Sequence, residues 1–133
     1  MTQNKIYIIK KGAERQLTPH LNSRELDCSC DVCKHTPIDM SLAQCFEKLR
    51  RAICALLGRD TPLIIKSGHR CQAHNQEVEG ASELSMHMVA AMDILCPEDV
   101  DVDLFAQLAK QSGFNFVLRY YDIPRIHVDN RSI

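Results

Sequence analysis

Apolar side chains recur every three to four residues between Leu42 and Leu56. Leu42, Cys45, Phe46, Leu49, Ile53 and Leu56 form one face, with Lys48, Arg50 and Arg51 opposite. That period predicts an amphipathic helix beginning near Ser41. Ser41 with Gln44 reads as its capping box and Gly58 as its C-cap. A second helix is expected over Glu98 to Gln111, with Leu104, Phe105, Leu108 and Ala109 inward and Gly113 as the stop. Shorter apolar runs predict strands at Tyr7 to Ile9, Pro62 to Lys66, Met88 to Ile94, Asn115 to Tyr120 and Arg125 to Asp129. Asp122-Ile123-Pro124 is the turn between the last two strands. Leu17 to Leu21 reads as loop, Asp27 to Pro37 as a cysteine-rich loop, and Cys71 to Val78 as a short helix. From the first long helix onward the order is helix, strand, strand, helix, strand, strand. It predicts an α+β fold with a mostly antiparallel sheet and two main helices.

Length and charge narrow the picture. The 133 residues suggest a single domain over 1–133, with 1–27 as an entry segment. Sixteen basic and 17 acidic side chains give a net charge of −1, and no basic run is interleaved with aromatics. Neither nucleic acid nor membrane is therefore an expected partner. No apolar run reaches the roughly 20 residues of a membrane helix. The first ten residues hold no stretch long enough for a signal-peptide core, so the chain is expected to be cytoplasmic as synthesised. A monomer is expected.

Seven cysteines, an odd number, argue against a complete disulfide framework. Cys28, Cys30 and Cys33 are close enough to share an ion, with His35 or Cys71 as a fourth ligand. Three reduced thiols, or one disulfide with a spare, fit the same spacing. Cys45 belongs to the helix core, and Cys54 and Cys96 show no ligand pattern. His20, His69 and His74 read as ordinary polar residues.

The candidate chemistry is carried by His87, Asp93 and His127. Two imidazoles and a carboxylate are a ligand set of catalytic zinc, which leaves a fourth position for water. Six residues of straight strand would hold His87 and Asp93 roughly 20 Å apart, so both can reach one ion only if the chain turns back near Val89-Ala90. His127 would then arrive from the neighbouring strand, where facing side chains lie about 5 Å apart. Spacing alone favours a loop histidine and a surface carboxylate over a shared ion.

Ser67-Gly68-His69-Arg70, Ser85-x-His87 leading to Asp93, and Ile126-His127-Val128-Asp129 occur in that order. Together they resemble the zinc D-Ala-D-Ala carboxypeptidase and murein endopeptidase family, whose fold is shared with the hedgehog signalling domain. Cys28-x-Cys30-x-x-Cys33 resembles that family's cysteine-bearing branch. The likeness runs from about Leu26 to Arg131. It implies a hedgehog/DD-peptidase-like fold, Zn2+ held by His87, Asp93 and His127, Arg70 on the substrate carboxylate and Ser85 positioning substrate. A guanidinium suits that task because it pairs bidentately with carboxylates. The implied substrate is a peptidoglycan peptide.

Two departures stand out. Five residues separate His87 from Asp93 where the family usually has six, and Ala90 stands at the usual glycine. The family's general base precedes its last histidine ligand by a few residues, but Pro124 occupies the third position back. Asp122 is the nearest carboxylate upstream and the candidate base, with a turn role as its other reading. Asp129 shares a strand face with His127 and is a candidate for orienting an imidazole.

The expected function is a zinc peptidase of cell-wall peptides, such as a phage-like endolysin freed by lysis. The shortened spacing favours an alternative, a catalytically degenerate relative that binds peptidoglycan or a protein partner. A cysteine-metal interaction module is a third reading.

Overall fold

A computed structural model describes residues 6–27, 34–68 and 91–130. Two antiparallel ribbons come first. Strand β1 (Ile6–Lys10) pairs with β4 (His35–Asp39), and β2 (Gln16–Thr18) pairs with β3 (Leu21–Asn22). A 3-10 turn, Ser23–Leu26, follows β3 and carries a full capping box between Asn22 and Glu25. Helix α1 spans Met40–Leu57 and α2 spans Val102–Gln111. The main sheet is antiparallel, in the order β5 (Ile65–Ser67), β6 (Met92–Leu95), β8 (Arg125–Asp129), β7 (Phe116–Tyr120).

Strand β1 covers the strand expected at Tyr7 to Ile9, whereas β2, β3 and β4 depart from the sequence reading. The segment read as loop at Leu17 to Leu21 supplies β2 and β3. Its hairpin is clamped by Ser23, whose hydroxyl accepts from Arg15 N and donates to the Ala13 carbonyl at 2.6 Å. The end of the expected cysteine-rich loop is β4. Pro37 sits in that strand opposite Ile8, as a strand with a free edge allows. Cys28, Cys30 and Cys33 lie outside the described residues.

The helix caps are carboxylates. Asp39, not Ser41, caps α1, accepting from the backbone N–H of Ser41 and of Leu42. Asp101 caps α2 in the same way, so that helix begins at Val102 rather than Glu98. An anionic acceptor satisfies orphan N–H groups and complements the helix dipole, which is why the caps win over the apolar pattern in setting each start. Gly58 closes α1 at φ +69°, the left-handed conformation expected of a C-cap glycine.

Leu42, Cys45, Phe46, Leu49 and Ile53 of α1 are buried as read from the sequence. Leu56, one turn further, is 51% exposed, and Leu104 of α2 is 37% exposed. Arg50 departs in the other direction: it is buried, with its guanidinium on Asp60. Glu47 is also buried, and both the Nδ1 and the backbone N of His20 bond to its carboxylate, at 2.8 and 3.0 Å. Burial pushes that carboxyl up, but the bonds from His20 outweigh it and hold its pKa below the ordinary value. His20 thus ties the β2–β3 hairpin to α1.

Alternation along β6 and β8 sorts the sheet into two faces. Met92 and Ile94 of β6 pair with Val128 and Ile126 of β8, and all four are fully buried in one apolar cluster with both helices. Asp93 and His127 therefore point to the other face as direct partners. A slip of β6 by one residue would turn Met92 and Ile94 to the other face, at about 1.5–3 kcal/mol each if they became exposed. The apolar face thus fixes the register that sets Asp93 against His127.

Candidate functional site

The site is a row of three side chains on β6 and β8. Asp93 Oδ1 lies 3.1 Å from His127 Nδ1, and Asp129 Oδ2 lies 2.7 Å from His127 Nε2. Asp93 and His127 face each other across the strand pair, and Asp129 stands two residues beyond His127 on the same face. The row is graded in depth. The Asp129 side chain has no exposure, His127 retains 8% and Asp93 17%. Phe116, on β7, packs against the imidazole in a T-shaped arrangement with ring centroids 6.0 Å apart.

Burial opposes a charge on the His127 ring. The hydrogen bonds to Asp129 and Asp93, with the charge of both carboxylates, outweigh that opposition and raise the ring's pKa above its ordinary value. The far end of β8 is anchored to α1. Asn130 Oδ1 accepts from Asn115 N at 3.0 Å, and its Nδ2 donates to Ser41 Oγ at 3.0 Å. Ser41 Oγ in turn donates to the capping carboxylate of Asp39 at 2.8 Å. Nothing in the sequence pattern pointed to Asn130. Phe116 was read only as a strand residue, and its contact with the ring depends on the β7–β8 register.

Asp93 and His127 are thus brought together, and Asp129 joins them. His87, Arg70 and Ser85 lie outside the described residues. Strand β5 ends at Ser67, whose Cα partner is Asp93. Gly68 presses against the backbone of Leu26, where a Cβ would stand 2.6 Å from the Leu26 Cα. Only glycine fits that approach. The missing residue between His87 and Asp93 does not turn Asp93 away, because β6 begins at Met92 and its facing is set by pairing with β8.

Asp122, the candidate base, is in a turn. It occupies the β7–β8 turn, its side chain is 76% exposed, and it accepts from Arg125 Nη1 at 3.0 Å. The hydrogen bond from the Ile123 backbone, then that from Arg125, holds its carboxyl below the usual range. Arg125 lies 4.2 Å from the centre of the Tyr120 ring.

The described thiols carry no ligand arrangement. Cys45, Cys54 and Cys96 are free, and burial pushes Cys96 up to about 11 while its Sγ donates to the Val100 carbonyl. Among the described residues no three His, Cys, Asp or Glu side chains are arranged to hold a metal ion. Asp93 and His127 would be two members of the set read from the sequence, with His87 as the third. Their donor atoms suit zinc in type. Two ligands on bonds of about 2.1 Å at a tetrahedral centre stand about 3.4 Å apart, close to the 3.1 Å seen here.

The described residues form an α+β fold, with an antiparallel sheet that packs both helices on one face and carries the carboxylate–imidazole pair on the other. The family model described as Peptidase M15 matches residues 19–129, and the chain belongs to this D-Ala-D-Ala carboxypeptidase family. Membership implies the hedgehog/DD-peptidase fold and a peptide substrate, and the family is generally zinc-dependent. Searches of curated proteins and of solved structures found no match. Among the described residues no helix is long and apolar enough to cross a membrane.

Proposed function

We propose that this protein is a zinc-dependent peptidase of peptidoglycan peptides, of carboxypeptidase or murein endopeptidase type. The observation that carries the proposal is the 3.1 Å approach of Asp93 Oδ1 to His127 Nδ1 inside the matched span. His87, Asp93 and His127 would hold the ion. Zinc bound there polarises a carbonyl and acidifies a water.

The remaining work falls to the chain's own side chains. Arg70 clamps the substrate carboxylate near the cleaved bond through its paired N–H donors. Ser85 positions the peptide by its hydroxyl. His127 keeps its orientation because the register of β8 and the contact with Phe116 fix the ring. A general base acts best with a pKa near the working pH. Asp122 is the candidate base, and its hydrogen bond from Arg125 also suits its other reading as a turn residue. A peptidoglycan substrate would put the protein's action at the cell wall, reached by phage-type lysis.

The test is digestion of purified muropeptides, followed by mass spectrometry, with zinc supplied or chelated. Zinc-dependent release of D-alanine or cleavage of a cross-link supports the proposal. Zinc binding without any cleavage favours the degenerate binder, which the five-residue interval between His87 and Asp93 also favours.

A further inference from the structure

We propose that Arg125 is a specificity-determining residue that binds a second carboxylate of the substrate, carried about two residues from the cleaved bond. The inference rests on the peptidase reading for its substrate, while the geometry belongs to the sheet itself. Strand register puts two rows of side chains on the open face. In one, His127 lies between Asp93 of β6 and Leu118 of β7. In the next, Arg125 lies between Leu95 and Tyr120. The rows are two residues apart along β8, which is about 7 Å. Leu118 is 43% exposed, so apolar surface adjoins the imidazole on the β7 side. An extended peptide rises about 3.3 Å per residue. A peptide lying along β8 with its cleaved bond at His127 therefore brings its second residue from that bond over Arg125.

The guanidinium is held in place before any substrate arrives. Its Cζ stands 4.2 Å from the centre of the Tyr120 ring. Its Nη1 donates to Asp122 Oδ1 at 3.0 Å and to the Ile123 carbonyl at 2.9 Å. Only 18% of the side chain is exposed, against 52% for Arg119 and 55% for Arg59. A side chain already fixed loses little freedom on binding. Both bonds use Nη1. The N–H groups of Nε and Nη2 form the other edge of the fork, an edge that pairs with both oxygens of a carboxylate. Asp122 does not bar a second anion, because its carboxylate is 76% exposed and its charge is screened by solvent and salt.

The experiment uses two synthetic peptidoglycan stem peptides that differ in one group. The residue second from the cleaved bond carries its side-chain carboxylate free in one and amidated in the other. Wild type, Arg125→Gln and Arg125→Lys are compared with zinc supplied, and circular dichroism checks that each is folded. Wild type should show a KM about 10–100-fold lower for the free carboxylate, with similar kcat for both peptides, since hydrogen bonds to a charged group are the strong ones. Arg125→Gln should raise KM for the free peptide to that of the amidated one and leave the amidated peptide unchanged. Arg125→Lys keeps the charge without the fork, so its preference should fall between the two.

Equal KM for the two peptides in wild type would overturn the proposal. So would a preference that survives undiminished in a folded Arg125→Gln. If Arg125→Gln fails to fold, Arg125→Lys decides: a reduced preference supports the role and an unchanged one contradicts it. Wild-type protein that cleaves neither peptide sinks the peptidase reading instead. Calorimetric binding of the same two peptides then decides the part of Arg125, and binding of neither, or of both equally, overturns it.

Discussion

The two ends of β8 carry the same kinds of groups in opposite surroundings. At the turn end, Asp122 meets Arg125 in water, with a side chain 76% exposed. At the far end, Asp129 meets His127 with no exposure at all. Exposed ion pairs contribute little because solvent screens them and long side chains lose freedom in forming them. A buried pair differs, because solvent and salt screen its charges far less. Two carboxylates flanking one histidine in sequence therefore have different consequences, and depth, not proximity along the chain, separates them.

The largest expected effect is at the buried end. His127→Ala should abolish muropeptide cleavage and sharply lower zinc uptake while leaving a folded protein, as judged by circular dichroism. Full activity in that variant would remove the site. The second effect falls on the opposite face of the same strand. Ile126→Ala should cost about 2–5 kcal/mol in urea unfolding, because Ile126 is fully buried and sets the register against Ile94. The folded fraction should still bind zinc. Equal loss of zinc binding and stability would mean that the two faces are not separable.

The third effect is on pH dependence. His127 has its folded pKa raised above the ordinary value. Its contribution to metal-free stability is therefore full below about pH 6.5, the unfolded value. It is lost as pH rises through the folded pKa. The urea midpoint of chelator-treated protein, relative to His127→Gln, should fall across that window. A difference that grows with rising pH would contradict the sign. The smallest effect is at the turn. If Asp122 acts only in the turn, Asp122→Asn should leave both kcat and the urea midpoint nearly unchanged. A fall in kcat of about a hundredfold or more at constant KM would instead establish Asp122 as the proton acceptor.

The same contrast runs through what could be read from the sequence. The apolar face of α1 and the strand Arg125–Asp129 were legible because each has a local period. Strand β1 was legible too, but its partner β4 was not, since β4 contains Pro37 and is a strand only by pairing with residues almost thirty positions away. The helix starts were displaced because Asp39 and Asp101 accept backbone N–H groups, a contact that hydropathy does not encode. At the site, residue types suggested the juxtaposition of His127 and Asp93, but the register of Met92 and Ile94 against β8 produces it. Asp129 was legible as a neighbour on the same face. Its full burial, which separates it from Asp122, was not, since burial follows from packing across the sheet.

The most direct measurement is an anomalous-scattering map at the zinc edge from crystals grown with zinc. A peak about 2.1 Å from both Asp93 Oδ1 and His127 Nδ1 is expected, with Asp129 on Nε2 and not on the ion. A peak on the Nε2 side, at the cysteines alone, or at neither position in zinc-loaded crystals would contradict it.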